Sequence, residues 1–385
     1  MASLPRFFIS LNGAAPVSCE SLRLCPLSLS FASLAGDEAV LQALPDCEAD
    51  VAHDRAVRLF LMTPAGTLDQ VFAGRIAAPE QSASVAGARQ VVRVAGGLAG
   101  WADFTFTRDA GGGALMSPLG ALYRAPGVAY QDLKQAVVEV ATMAQSRLAA
   151  LSGWAFAFSA TDVQLGASPL QPEPESEGPE NLLNWLVKLL RPQADGWARM
   201  NHGVWPPRLA VGRFRDVAAV VLEEGVPPLL SARTRRRLDT ERLGAVIAVG
   251  AATGEPFARD PVSVRFVDPP GAGFAGRKVE PVVFSSLPGA WNEGVARAIA
   301  SAAQISLVDG QFLLSMAADS QLLSLVRPGA VIELDGVRHH VQSTSIDLAN
   351  GVQTVAAGPP RQLGVQELAD LARWIRRNGR TDEGL

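Results

Sequence analysis

Few side chains in this sequence are placed to do chemistry. Four histidines occur: His53, His202, His339 and His340. The last two are neighbours in a stretch with strand character, so they point to opposite faces and cannot chelate one ion together. Neither His53 nor His202 has an Asp, Glu or Cys at a spacing that completes a metal site. The three cysteines, Cys19, Cys25 and Cys47, are odd in number and lack Cys-x-x-Cys spacing. That argues against a disulfide framework or a zinc site and fits a reduced compartment. Gly271-Ala-Gly-Phe-Ala-Gly276 matches G-x-G-x-x-G. Pro269-Pro270 precede it, and a strand-like stretch containing Pro281 follows, so the strand and helix that would receive a pyrophosphate are missing and it reads as a flexible loop. No G-x-S-x-G elbow, Walker A run or H-E-x-x-H motif occurs. The adjacent carboxylates Glu223-Glu224 read as solvated. The sequence thus assigns no catalytic, cofactor-binding or metal-ligating residue, and no cofactor is expected.

The densest charge cluster is Arg233-Thr-Arg-Arg-Arg237, with Arg242 beyond it. One reading is a solvated loop, or a strand edge guarded by charge against pairing with another chain. The functional reading is a contact with phosphate or an acidic partner, above all an inter-subunit salt bridge. Arg233, Arg235, Arg236 and Arg237 are therefore the candidate subunit-interface residues.

The elements that carry these residues are mostly strands. Short apolar stretches at Arg6–Leu11, Leu27–Phe31, Val57–Met62, Leu68–Ile76, Gln90–Val94 and Ala102–Arg108, of which Leu27–Phe31 alternates apolar and polar residues, are separated by Gly, Pro and Asp. Short strands at this density predict an antiparallel barrel or sandwich. A helix is expected over Gln131–Leu151, where Leu133, Val137, Val140, Ala144, Leu148 and Leu151 recur every three or four residues. Trp154–Val163 reads as a strand. The acidic, Pro-rich stretch 165–180 holds four Pro and four Glu and reads as an exposed extended loop. A second helix, Asn181–Leu190, precedes strands at Leu209–Phe214, Ala218–Leu222 and Leu243–Gly250, and a short helix at Gly294–Gln304. Asp335-Gly336 is a type I′ turn signal. It sets Leu334 opposite Val337, Ile332 opposite His339 and Glu333 opposite Arg338. A second hairpin is expected to turn at Asn350-Gly351, between Thr344–Ala349 and Val352–Ala357. The last helix is expected over Val365–Arg377. The fold class is α+β, mainly β: two antiparallel β-barrels with an α/β insert and a C-terminal helix. The expected divisions are 1–112, first barrel; 113–208, insert; 209–362, second barrel with a small helical insert; and 363–385, helix and tail.

Composition narrows the function classes. The 385 residues carry 34 basic and 38 acidic side chains, 48% hydrophobic residues and only 19% charged ones. Disorder needs the reverse balance. A net charge of −4 argues against coating nucleic acid by bulk charge. The N-terminal apolar run is too broken for a signal peptide, and no window approaches the about 18 apolar residues of a membrane span, so no stable membrane insertion is expected. Scarce charge in a large chain fits surface hidden in an assembly.

Four segments resemble the baseplate or tail hub proteins of tailed bacteriophages and related contractile injection systems. They are Val71-Phe-Ala-Gly-Arg-Ile76, Asn181–Leu190 leading to Trp205-Pro-Pro-Arg-Leu-Ala210, Arg235-Arg-Arg-Leu-Asp239 followed by Val246–Gly250, and Arg327–Gly336 through Gly358–Gly364. The resemblance implies a non-enzymatic structural protein of the virion tail, assembled in the bacterial host cytoplasm. It implies a homotrimer of two-barrel chains, joined to a sixfold tail tube or distal tail protein on one side. On the other side it meets a tip, spike or fibre-bearing tail protein, and DNA passes transiently through its lumen. The 165–180 loop departs from the family's pattern, and 385 residues leave no room for the cell-wall hydrolase or needle module of some hubs. The alternatives are a tail-tip cell-wall or polysaccharide hydrolase with paired carboxylates in a groove, and a receptor-binding tail module with Trp197 and Trp205 lining a shallow site.

Overall fold

The computed structural model describes residues 6–47, 49–63, 65–77, 80–84, 87–102, 105–108, 115–117, 120–121, 133–152, 155–165, 180–190, 196–236, 246–249, 266–267, 280–283, 308–316 and 326–358. Strands dominate them, and fourteen belong to one sheet. Its path runs through the strands 229–236, 308–315, 352–357, 337–347, 24–32, 36–43, 87–97, 68–76, 56–62, 7–11 and 17–18. Pairing along this path is antiparallel. A branch sets 219–222 parallel to 331–334. The two strand-rich halves meet inside this sheet, where Ser343 to Asp347 pair with Ala32 to Ser28.

Alternation builds the cores. In Ala56–Met62 every second residue is buried, and Val57, Leu59 and Leu61 join Ile9, Leu29, Leu41, Phe72 and Val92 in one cluster. Ile346 and Leu348 of the second half complete it. Each such side chain removed from water contributes about 1.5–3 kcal/mol. A second core holds the helices. Val137, Val140, Ala144 and Leu148 of the helix Leu133–Ser152 pack with Leu182, Leu186 and Leu190 of the helix Leu182–Leu190. The Asn181 side-chain oxygen accepts the Asn184 N–H at 2.7 Å, capping that second helix.

The Asp335-Gly336 hairpin forms in the predicted register, with φ of +51° and +72° at its two turn residues. Arg338 sits opposite Glu333, but its Nη2 donates to the Val217 carbonyl at 2.7 Å. The second hairpin differs from expectation. Its first strand ends at Asp347, paired with Val352, and a four-residue loop, 348–351, replaces the two-residue turn. Asp347 causes this: its carboxylate accepts the N–H groups of Ala349 and Asn350, both at 3.0 Å, and folds the chain out of the ladder. Residues 155–163 are not a strand. They make two isolated bridges, Ala157 with Arg208 and Val163 with Val211. Between them Ser159 and Asp162 form a capping box around a single 3₁₀ turn. The strand Gly36–Ala43 was not expected. The 294–304 and 365–377 helices, the 271–276 glycines and most of the 165–180 loop lie outside the described residues.

Candidate assembly edge and buried charge site

The arginine run sits on a sheet edge. Strand Leu229–Arg236 ends the sheet path, pairing on one side with Val308–Ser315 and on the other with no strand among the described residues. Arg233 is exposed and stands opposite Gln311; Arg235 stands opposite Asp309 and Arg236 opposite Val308. Arg237 lies outside the described residues. The chain leading into this strand presents exposed apolar side chains: Val221, Val226 and Leu230 are 66%, 47% and 54% exposed. An edge with no partner strand among the described residues, beside exposed apolar surface, could accept an assembly contact. Glu223 and Glu224 lie exposed in the turn before it.

The two tryptophans considered for a shallow binding site part company. Trp197 is buried at 7% exposure, so it cannot line a surface site. Its ring lies so close to Gly212 and Gly329 that a Cβ on either would approach it within 2.6 and 2.7 Å. Trp205 is 48% exposed, with the Arg58 guanidinium 5.5 Å from its ring centre.

The histidines are also resolved. His53 is exposed. His339 and His340 point to opposite faces as expected: His339 meets Phe312 edge-on at 5.0 Å, and His340 stacks on Phe214 at 4.4 Å. Burial pushes the His339 imidazole below its ordinary pKa of 6.5. Its neutral form is therefore the folded one, and that stability is present above 6.5 and lost as pH falls through the lowered folded value. Urea midpoints are expected to fall below pH 6.5, with a shallower slope in His339→Gln; parallel slopes for the two proteins contradict this.

His202 has a partner that sequence spacing does not reveal. Asp37 lies 165 residues away, and its Oδ2 is 2.7 Å from His202 Nε2, with both side chains buried. The Ala73 N–H donates to His202 Nδ1 at 3.1 Å. Nδ1 is therefore the unprotonated nitrogen, the ring is neutral, and Nε2–H donates to the carboxylate. The ring also stacks on Phe72, 4.8 Å between centres and 6° from parallel. The other Asp37 oxygen accepts the Ala32 N–H at 3.0 Å.

This pair borders a cavity of about 190 Å³ between the two halves, lined also by Phe31, Gln70, Arg199 and Arg327. Arg199 Nη1 donates to the Pro328 carbonyl at 2.7 Å. The Arg327 guanidinium carbon lies 3.7 Å from the Phe31 ring centre. Burial, partly offset by Asp37 and reinforced by the like charge of Arg199, pushes Arg327 down to about 10. Among the described residues no group of three His, Cys, Asp or Glu is arranged to hold a metal ion, and no helix is long and apolar enough to cross a membrane.

No family model and no curated protein matches the sequence. Solved structures do match, along nearly the whole chain. The 43 kDa tail protein of prophage MuSo2 from Shewanella oneidensis is 14% identical with a TM-score of 0.56, covering 93% of this chain and 99% of that one. The tail protein from Neisseria meningitidis MC58 is 12% identical at a TM-score of 0.56, covering 92% and 97%. Prophage tail protein gp18 from Listeria monocytogenes EGD-e is 9% identical at a TM-score of 0.56, covering 97% and 99%. At the level of fold, the resemblance to phage tail proteins holds.

Proposed function

We propose that this chain, which has the fold of phage tail proteins, is a structural tail or baseplate hub. Three copies form a ring that joins a sixfold tail tube, or a distal tail protein, to a threefold tip, spike or fibre-bearing protein. The ring lines the channel through which DNA leaves. The role is non-enzymatic and the site of action is the virion tail, assembled in the bacterial host cytoplasm.

The observation that carries this reading is end-to-end coverage: the fold is shared over 93% of this chain and 99% of the Shewanella prophage tail protein. Both strand-rich halves and the helices between them thus belong to the likeness, which a borrowed single domain would not produce. In the proposed division, residues 1–112 and 209–362 form two similar barrels, 113–208 the insert and 363–385 the terminal helix and tail. Three chains then present six barrels to the tube and threefold symmetry to the tip. A charged fraction of 19%, below the about 25% of an average soluble chain, supports extensive subunit contact. Arg233, Arg235, Arg236 and Arg237 are the proposed partners in a subunit salt bridge.

Light scattering on the purified chain is expected to give a trimer, three times 40.5 kDa or about 122 kDa. Arg233→Glu is expected to shift that equilibrium toward monomer without lowering the unfolding midpoint, because Arg233 is exposed. A wild-type monomer at all concentrations overturns the trimer. An Arg233→Glu chain that trimerises as well as wild type removes this residue from the interface.

A further inference from the structure

The cavity between the two halves has a charge imbalance that the described residues do not resolve. Its lining holds two guanidinium groups, Arg199 and Arg327, and one carboxylate, Asp37. Both oxygens of that carboxylate are already engaged, one by the Ala32 N–H and the other by His202 Nε2–H. Neither arginine forms an ion pair with it among the described residues: the side-chain partner of Asp37 is His202, 2.7 Å away. His202 is the neutral tautomer, so it neither adds to nor removes positive charge. Arg199 spends one donor on a neutral carbonyl, that of Pro328. The Nη1 of Arg327 is buried without a hydrogen-bond partner among the described residues. Its guanidinium lies over the face of Phe31, 3.7 Å from the ring centre.

Guanidinium groups are forks of donors matched to the oxygens of carboxylates and phosphates. A cavity of about 190 Å³ has far more room than the about 10–15 Å³ that a single water requires. We propose that this cavity binds one small oxyanion, a phosphate or a carboxylate group, between Arg199 and Arg327. The anion supplies the missing counter-charge and accepts from the donors that the protein leaves unpaired. Because Phe31 and Asp37 come from the first half and Arg327 from the second, the bound anion ties the two halves together. Two sources have this chemistry: free inorganic phosphate, or the carboxylate of an acidic side chain on an adjoining subunit.

The test uses the full chain. Calorimetric titration with inorganic phosphate at constant ionic strength is expected to show one site per chain. Above its dissociation constant, each about tenfold rise in phosphate is expected to lower the unfolding equilibrium constant about tenfold. Arg327→Met, which keeps a long apolar stem over Phe31, is expected to lose both effects, and Arg327→Lys to retain a weakened form of them. Acetate run in parallel distinguishes the sources: saturable acetate binding points to a carboxylate, and phosphate binding without acetate binding to the free ion. No heat with either anion overturns the proposal. So does stabilisation equal in wild type and Arg327→Met, which is the general salt effect of phosphate. If Arg327→Met does not fold, the wild-type stoichiometry decides, and any value other than one site per chain overturns the proposal.

Discussion

Asp37→Ala is expected to lower the unfolding free energy by about 2–6 kcal/mol, two buried donors each losing their acceptor at about 1–3 kcal/mol. The substitution leaves His202 Nε2–H and the Ala32 N–H without acceptors. It also leaves Arg199 and Arg327 facing each other with no carboxylate between the halves. Asp37→Asn separates these effects. The amide keeps one acceptor oxygen but turns an NH₂ toward one of the two donors, so a loss of about 1–3 kcal/mol is expected from the unsatisfied group. Urea unfolding of the three proteins at pH 7 checks the order wild type, Asn, Ala. A loss under about 0.5 kcal/mol for Asp37→Ala, the scale of an ordinary surface change, contradicts a buried structural role.

Gly97→Ala is expected to be nearly as damaging by a different route. Gly97 has φ of +60°, and a Cβ there would stand 2.1 Å from Asp37 Oδ2. The left-handed backbone alone costs a side chain about 1–3 kcal/mol. The carboxylate must then move away from His202, adding part of the Asp37 effect. Gly66→Ala is the matched control. Its φ is +82° but nothing lies within 4 Å of the added Cβ, so it carries the backbone cost alone. Combined with Asp37→Ala, Gly97→Ala is expected to cost less than it does in wild type, because its clash partner is gone. Simple additivity of the two substitutions argues that the Gly97 contact with Asp37 is not the cause.

These two positions also mark where sequence reading stopped. Strands such as Val57–Met62 and Leu68–Ile76 were legible as short apolar runs set between turn residues, and the Asp335-Gly336 turn fixed its hairpin to the residue. Strand Gly36–Ala43 buries every second residue, Asp37, Ala39, Leu41 and Ala43. Its first inward position is a carboxylate and two others are alanines, so hydrophobicity alone does not display the period. The same Asp37 hides the charge site, since its partnership with His202 exists only through the sheet and spans 165 residues. An Asp at an inward strand position is the signal that would have led to it. The second hairpin was misread for a local reason. Asn350-Gly351 is a strong turn pair, but Asp347 folds the chain earlier, and Leu348 is then buried in the first-half core. The arginine run was visible as charge. That it lies on the terminal strand of the sheet required the pairing of Arg233 with Gln311.

The central claim is that three copies of this chain form the ring between tube and tip. A cryo-EM reconstruction of the assembled tail that carries it tests this most directly. The expected map shows three copies around the tail axis, each offering two related barrels to the tube above. Six copies in that ring, an off-axis position on a fibre, or two halves with unrelated folds facing the tube would contradict it.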